Sequence, residues 1–536
     1  METVQSYSKM SGYKINWTKS EAMPISGICN ANVLTKFGFK WIPRGIKYLG
    51  IKISRDLEEI PMVNFAPLLQ NRRNNLDKWG KIQLTLWGKV NIIKMVVSPQ
   101  LNYVLMMLPL TTPQSIFNQY DIMVKHFLWN GKRPRIKLNK LCASRDKGGL
   151  GLPDPRLYQV SYEMAKLAKH WNNNTQLDWV TIEKTLSWPY SPIERLSQCS
   201  DITTNPIMRH SREVWAKIHK MHKISQCKQP YSSLWHNSVI CIGKSPLYWK
   251  KWHMNGLCTI ADLFEQGVFM SYNNLVWKYD LKGKEHFWKY LQIRNCVSTK
   301  IQYTDGNHIL DFLTLPHSQQ KASVFYRTTN HVLSNVWTNL KTIWEKDIGT
   351  VIGDEDWKNI LSNAGKYVRE ARGQFTQYKI IHRFYLTPLR LNRMGLTNNN
   401  ACWKCQKDKG TFIHCIWECP IIQPLWQQTL NFLSKWLGTS IPLSPKLCLL
   451  GDREQIPNIS NREFAVIMVG VSVTARVILK HWKTPKTPEL KEWVNIMTYE
   501  RLLCKLHNKN RACVPVGSPI WEDFWSYVTL STHVTQ

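Results

Sequence analysis

Residues 82–99 read IQLTLWGKVNIIKMVVSP, and within them Leu86, Val90, Ile93 and Val97 stand four, three and four positions apart. That spacing is the period of one apolar helix face. It predicts a helix in a region that turns helical from Leu68, and it predicts that Pro99 closes it, since proline lacks the backbone N–H. Upstream the pattern differs. In KYLGIKIS (47–54), Leu49, Ile51 and Ile53 alternate with Tyr48, Gly50 and Lys52, the period-two pattern of a half-buried strand in which Gly50 allows close backbone approach. Gly12, followed by alternating Tyr13, Ile15 and Trp17, predicts a turn into another strand. Downstream, after the turn-rich KGGLGLPDP (147–155), the chain reads mostly helical to about residue 395, with no repeat of fixed period. The apolar run from Phe464, FAVIMVGVSVTARVILK, is interrupted by Arg476 and is too short for a spanning helix, so it predicts a buried one. Pro485 and Pro488 in HWKTPKTPELKEW (481–493) predict a rigid joint between two helices. The fold class that follows is mainly α, with a small α+β region at the N-terminal end.

Charge limits the partners. The 536 residues carry 71 Lys and Arg against 37 Asp and Glu, a formal charge of +34. Such a chain attracts polyanions, because each phosphate neutralised by a cation releases condensed counterions. Nucleic acid is the first expectation, and an anionic membrane surface the second. An apolar content of 43% excludes a wholly disordered chain. The first twenty residues hold no apolar signal-peptide core, and most of the fourteen cysteines are scattered singly, which predicts reduced thiols and an intracellular location.

The charge is densest between residues 61 and 150, where fourteen Lys and Arg face Asp77, Asp121 and Asp146 for a net +11. Trp79, Trp87 and Trp129 lie among these cations. The interleaving suits a surface that grips phosphates and offers stacking faces, although each tryptophan taken singly also fits a core position.

The sharpest local signal is CWKCQKDKGTFIHCIWEC (402–419). Cys402 and Cys405 form a C-x-x-C knuckle, His414 follows nine positions later, and Cys419 five beyond that. Three thiolates and one imidazole make a closed tetrahedral set, so zinc here would be structural and would leave no position for a reactive water. Cys415 could replace His414 or simply pack, and an unmetallated hairpin is the alternative. Catalytic carboxylates are harder to find. No Asp-Asp dipeptide of the kind a two-metal polymerase uses occurs anywhere in the sequence. YTDGN (303–307) offers Asp305 as a remote ribonuclease H-like candidate, with Glu345, Asp354 and Glu370 the roughly spaced companions and an ordinary Asp-Gly turn the plain reading.

GYKINWTKSE, KYLGIKIS, DKWGKIQLTLWGKVNIIKMVVSPQLNY, FLWNGKRPRIK and DKGGLGLPDP, in that order, resemble the second open reading frame product of vertebrate LINE-type, non-LTR retrotransposons. So do WEKDIG, KIIHRFYLTPLRLNRMGL, the Cys/His segment and HWKTPKTPELKEW. The resemblance implies the rear part of a reverse transcriptase that begins after the paired palm aspartates. Residues 1–62 would be a palm remnant, with Lys14 and Lys19 in the motif after those aspartates and Lys47, Tyr48, Leu49 and Gly50 in a primer-grip-like strand. Residues 63–150 would be a basic helical thumb, 151–335 a helical wrist-like connector, and 336–536 a C-terminal domain with the zinc-knuckle-like hairpin.

Nucleic acid would then meet Lys47, Tyr48, Gly50, Arg72, Arg73, Lys78, Lys81, Lys89, Lys94, Lys132, Arg133, Arg135 and Lys137, and zinc would meet Cys402, Cys405, His414 and Cys419. The implied partners are RNA, RNA-DNA or DNA duplex, and an intact retroelement polymerase acting in trans, with no membrane. The setting would be a nuclear or cytoplasmic ribonucleoprotein. Without the palm aspartates and the endonuclease, no catalytic residue is expected. The alternatives are a non-functional retroelement remnant or an interaction module.

Overall fold

The computed structural model describes residues 2–25, 38–171, 177–187, 196, 205–223, 228–230, 232–281, 283–301, 310–316, 318–319, 321–334, 338–368 and 370–508. The protein is mainly helical, with two-stranded sheets of two to four residues per strand among the described residues. It divides into two compact units.

The first unit comprises Met1–Lys81, Ile92–Phe127 and Pro153–Leu333. It opens with α1 (Glu2–Ser11), which ends at Gly12 in the left-handed region. The strand expected at 13–17 does not form among the described residues. Instead the Asn16 side chain accepts from the Lys19 N–H and nucleates a tight turn at Trp17–Lys19, the local competition with extended structure that asparagine favours.

The strand expected through Leu49 is a hairpin. β1 (Gly45–Tyr48) pairs antiparallel with β2 (Ile51–Ser54), and Leu49 and Gly50 form the two-residue turn, both with positive φ. Ile51 is therefore buried while Leu49 stands at the exposed tip. The Asn64 side chain fastens the hairpin to α2 (Ile60–Gly80), accepting from the Lys52 N–H and donating to the Lys52 carbonyl, each at 2.8 Å.

The stretch with helical spacing buries all four of its marker residues, Leu86, Val90, Ile93 and Val97. Its end differs from the expectation. α3 (Leu86–Ile92) widens into one π turn at Ile93–Val97 and continues as α4 (Ser98–Met107), so Pro99 opens a helix instead of closing one. Helical backbone runs unbroken through Val97 and Ser98, and the wide turn, in which the Ser98 N–H donates to the Ile93 carbonyl, accommodates a residue that lacks the N–H.

α5 (Gln114–Trp129) follows, then α6 (Pro155–Trp171), against which α4, α8 (Pro206–His222) and α11 (Ala322–Leu333) pack. α7 (Asp178–Ser187) supplies Glu183 to Lys166 at 2.9 Å and to His170 at 2.6 Å on α6. Val160, Met164, Trp215, Ile218 and Phe325 fill the space between these helices. A separate core in the same unit gathers Trp235, Trp252, Leu263, Leu275 and Tyr290 beneath α9 (Tyr272–Lys278) and α10 (Glu285–Lys300).

The second unit comprises Ile82–Asn91, Leu128–Leu152 and Ser334–Gln536. Besides most of α3 and the short helix Leu138–Cys142, its described helices include α12 (Thr338–Ile348), α13 (Asp354–Asn363), α14 (Ala371–Ile381), α15 (Pro388–Arg393), α16 (Gln423–Leu437), α17 (Asn461–Lys480) and α18 (Leu490–Asn508). α17 is the apolar run read as a buried helix, and every residue from Phe464 to Ala475 is buried. Ser460 and Glu463 form a capping box that satisfies its first N–H groups and starts the helix there.

α14, α16 and α18 pack around α17. Gly470 lets α16 approach, since a Cβ there would lie 2.7 Å from Leu433 Cδ1. On another side the Trp493 indole N–H donates to the Gly470 carbonyl at 3.0 Å. The joint containing Pro485 and Pro488 connects α17 to α18, as the prolines predict. No helix of the described residues is long and apolar enough to cross a membrane.

Two outcomes follow for stability. Trp493→Ala removes a fully buried indole and its bond to α17, so urea unfolding should show a loss of about 3–5 kcal/mol. His382 caps α14 and is buried, with burial first and the nearby Lys140 charge second holding its imidazole down to about 3. The unfolded chain therefore binds a proton below about pH 6.5 that the folded chain refuses. Stability contributed by neutral His382 is complete above that pH and falls as the solution is acidified toward about 3. His382→Gln should flatten the decline by up to roughly 1.4 kcal/mol per pH unit, read as the difference between the two proteins' stability-versus-pH curves.

Candidate metal centre and basic surface

The Cys/His segment folds as a short hairpin followed by a helical turn. Ala401 and Lys409 form an antiparallel bridge, the Cys402 N–H donates to the Asp408 carbonyl at 2.8 Å, and Gln406 takes a positive φ to close the loop. Gly410 is required where the hairpin meets α15, because a Cβ would lie 2.5 Å from Pro388 Cγ. Residues 414–418 then make one wide turn, starting after the Thr411 hydroxyl accepts from the His414 N–H.

This geometry brings Cys402, Cys405, His414 and Cys419 together, with one donor atom from each within 4.8 Å of all the others. Cys402 and Cys419 sulfurs are 3.9 Å apart, and Cys405 Sγ is 3.4 Å from His414 Nε2. A tetrahedral zinc with ordinary bond lengths requires roughly 3.8 Å between two sulfurs and about 3.6 Å between sulfur and nitrogen. The donor set therefore fits zinc in type, number and spacing. Zinc bound there would tie the hairpin to the 414–419 turn, with all four positions filled by the protein.

The surroundings favour the thiolate at one of the four positions and oppose it at another. The Cys402 thiol is held well below its ordinary value, first by a hydrogen bond from the Cys415 thiol and then by the Cys405 and Lys404 backbone N–H groups. The matching effect pushes the Cys415 thiol up. Cys415 is thus a buried donor to a ligand, outside the four that converge. Burial pushes Cys419 up to about 12, opposed by the Ile421 N–H. Such outer hydrogen bonds orient ligands and set their basicity.

Lys404, between the two knuckle cysteines, points inward. Its ammonium donates to the carbonyls of His481, Thr484 and Lys486 at 3.1, 3.2 and 2.8 Å and locks the knuckle to the end of α17. Trp482 completes the seat, its ring 6.2 Å from Trp403 and 6.1 Å from Phe412.

The expected nucleic-acid residues divide by exposure. Lys47, Tyr48, Gly50, Arg73, Lys78 and Lys81 are exposed in the first unit, and Lys132, Arg133, Arg135 and Lys137 in the second. Lys94 is half-buried. Arg72 and Lys89 are buried and do not belong to a surface. Arg72 lies on the inward face of α2, and the Lys89 ammonium donates to Asn130, with burial lowering its pKa. The tryptophans of the basic stretch are half-buried, with Trp87 edge-on to Tyr378 and Trp129 against Phe384.

Sequence reading missed the cations around the knuckle. Arg390 and Arg393 on α15 and Lys407 and Lys409 on the hairpin are exposed, and α15 is fixed to the hairpin by the Leu389 N–H on the Gly410 carbonyl. The Arg135 and Arg390 guanidinium groups donate to adjacent carbonyls, Phe384 and Arg383. Lys379 is held below its ordinary value by burial and then by Arg135. Arg135 and Arg390 therefore meet one short backbone segment, with the Lys379 ammonium 5.3 Å from the centre of the neighbouring Tyr385 ring and Arg383 paired with Asp347.

Among the described residues, Glu345 and Asp354 share the Lys341 ammonium, while Glu370 is held by a different cation. Asp305 lies outside the described residues. Glu345 accepts from the Ile352 N–H, Asp354 pairs with Lys341, and Glu370 with Arg476.

The metal prediction is direct. Purified protein should contain one zinc per chain by elemental analysis, and Cys402→Ser with Cys405→Ser should lose it. Because thiolate and neutral imidazole are the binding forms, zinc retention should also fall on acidification, with proton uptake as the ion leaves.

No protein-family profile matches the chain. Among curated proteins, 93 residues are 29% identical to a protein of Arabidopsis thaliana that bears the name "Putative ribonuclease H protein". The match covers 16% of this chain and 15% of that relative, so the likeness is partial on both sides.

Proposed function

We propose that the chain is a nucleic-acid-binding portion of a LINE-type, non-LTR retrotransposon reverse transcriptase, binding RNA and primer-template duplex without polymerase or endonuclease chemistry of its own. The observation that carries this reading is the gathering of Arg135, Lys379 and Arg390 at residues 383–385, beside a hairpin whose own Lys407 and Lys409 are exposed. Like charges brought together at a surface repel one another unless an anion lies between them, and a phosphate backbone supplies anions at regular spacing. The metal centre's part is to hold that surface rigid through the Leu389–Gly410 contact.

In the first unit the exposed β1–β2 tip, with Lys47 and Lys52 directly opposite each other, offers a second cationic point. It corresponds to the primer-grip-like segment of the resemblance. The sequence contains no adjacent aspartate pair to hold two metal ions, so nucleotide transfer is not assigned to it.

The test is salt-dependent binding of a labelled RNA-DNA duplex. Wild-type affinity should fall steeply with salt. Replacing Arg135, Arg390 and Lys407 by serine should lower the slope of log K against log salt by about 2–3, at roughly 0.9 per phosphate contact. No duplex binding at low salt would exclude the reading, and so would an unchanged slope. Metal-dependent primer extension by the purified chain would overturn the non-catalytic part.

A further inference from the structure

Two of the most exposed large apolar side chains in the protein are tryptophans on neighbouring helices of the first unit, Trp277 on α9 at 88% and Trp288 on α10 at 70%. Burying an indole is worth several kcal/mol in a core, and the same region buries Trp235 and Trp252 completely. The core was thus able to take tryptophan, and these two were left outside.

Each exposed ring is followed in sequence by a lysine, in Trp277-Lys278 and Trp288-Lys289, and the pattern recurs at Trp249-Lys250. Space reinforces it. The Lys289 ammonium sits 5.7 Å from the centre of the Trp249 ring, and Phe287, itself exposed, links Trp288 at 6.3 Å to Tyr272 at 5.1 Å. An aromatic strip, Tyr272–Phe287–Trp288, therefore runs beside a cation held over a further ring. Between residues 244 and 289 seven lysines face four acids. One of those acids, Asp262, turns inward to accept the backbone N–H groups of Cys258 and Thr259, which leaves Glu265, Asp280 and Glu285 as the opposing charges.

Exposed π faces on a lysine-rich stretch match single-stranded nucleic acid best. In single-stranded nucleic acid the bases are free to stack on aromatic rings while the phosphates lie within reach of lysine. In a duplex the same bases are stacked on one another and present no face. We propose that the α9–α10 surface is a binding platform for single-stranded nucleic acid, with Trp288 and Trp277 stacking bases and Lys278, Lys284 and Lys289 meeting phosphates. The proposal rests on the nucleic-acid reading above and extends it to a strand form and to residues that reading does not use.

The probe is a labelled, unstructured oligouridylate of about twenty nucleotides, measured by fluorescence anisotropy beside the RNA-DNA duplex. Trp277→Ala and Trp288→Ala should each weaken oligouridylate binding about tenfold, the effect of losing one stacked base, and leave duplex binding within about twofold. Because both side chains are largely solvated, unfolding temperature should not move, which separates lost stacking from lost folding. Lys278→Ala with Lys289→Ala should reduce the salt slope for the single strand alone.

Oligouridylate affinity unchanged in both tryptophan variants would overturn the proposal. So would tryptophan variants that alter self-association in sedimentation but not oligouridylate affinity, since the strip would then be a contact between copies of the chain. Duplex binding without single-strand binding would remove the platform and leave the broader reading intact. Binding of neither would remove both.

Discussion

A helix that is apolar on every side has to be surrounded, and most of the second unit follows from that. α17 buries an unbroken run from Phe464 to Ala475, and leaving such a surface in water costs about 25 cal/mol for each Å². An amphipathic helix needs one neighbour; this one needs a ring of them. α14, α16 and α18 provide it, and Gly470 sets how closely α16 can approach. Arg476, which interrupts the apolar run, reaches outward to Glu370, so the charge that breaks the run is paired beside α14.

The metal centre depends on the same arrangement. The last of its four candidate ligands, Cys419, precedes α16 by only a few residues, and the Lys404 ammonium binds three carbonyls in the segment that ends α17. The knuckle is thus held at both margins by elements already committed to burying α17. Zinc would add a bond between the hairpin and the 414–419 turn, and because the four donors stand at near-bonding separations, little backbone movement would be needed to receive it. The hydrogen bonds from Cys415 and from the Lys404 and Cys405 backbone reach Cys402 without the ion, which is the kind of outer support that fixes a ligand's orientation.

How much of this was legible beforehand varied with the physical signal. The helical period at 86–97 and the buried run from Phe464 are patterns of burial, and burial is what period reports. The Cys/His spacing was legible because a tetrahedral ion accepts few arrangements. Turns were read less well. Leu49 with positive φ is an improbable hairpin position for a leucine, and the alternation running through it resembled one strand. Pro99 carries the same message whether it ends a helix or begins one, and the choice was made by the π turn at Ile93–Val97, which no period detects. Arg72 and Lys89 show a further limit: a local sum of charges cannot tell which cations face inward.

That limit also explains why the most exposed tryptophans were not found in the sequence. Trp235, Trp252, Trp277 and Trp288 are the same residue type in one stretch of chain, and the first two are sealed while the last two are bare. What separates them is the side of the helix or turn each occupies, which depends on where Leu263, Leu275 and Tyr290 pack. A basic chain rich in tryptophan can therefore use its aromatic residues in two ways at once. The buried ones hold the scaffold, and the exposed ones next to lysines present faces that only an unstacked base or another protein surface would cover. Charge alone favours any polyanion. Charge with solvated indoles favours a strand whose bases are open, and that is the added specificity that the fold contributes beyond the composition.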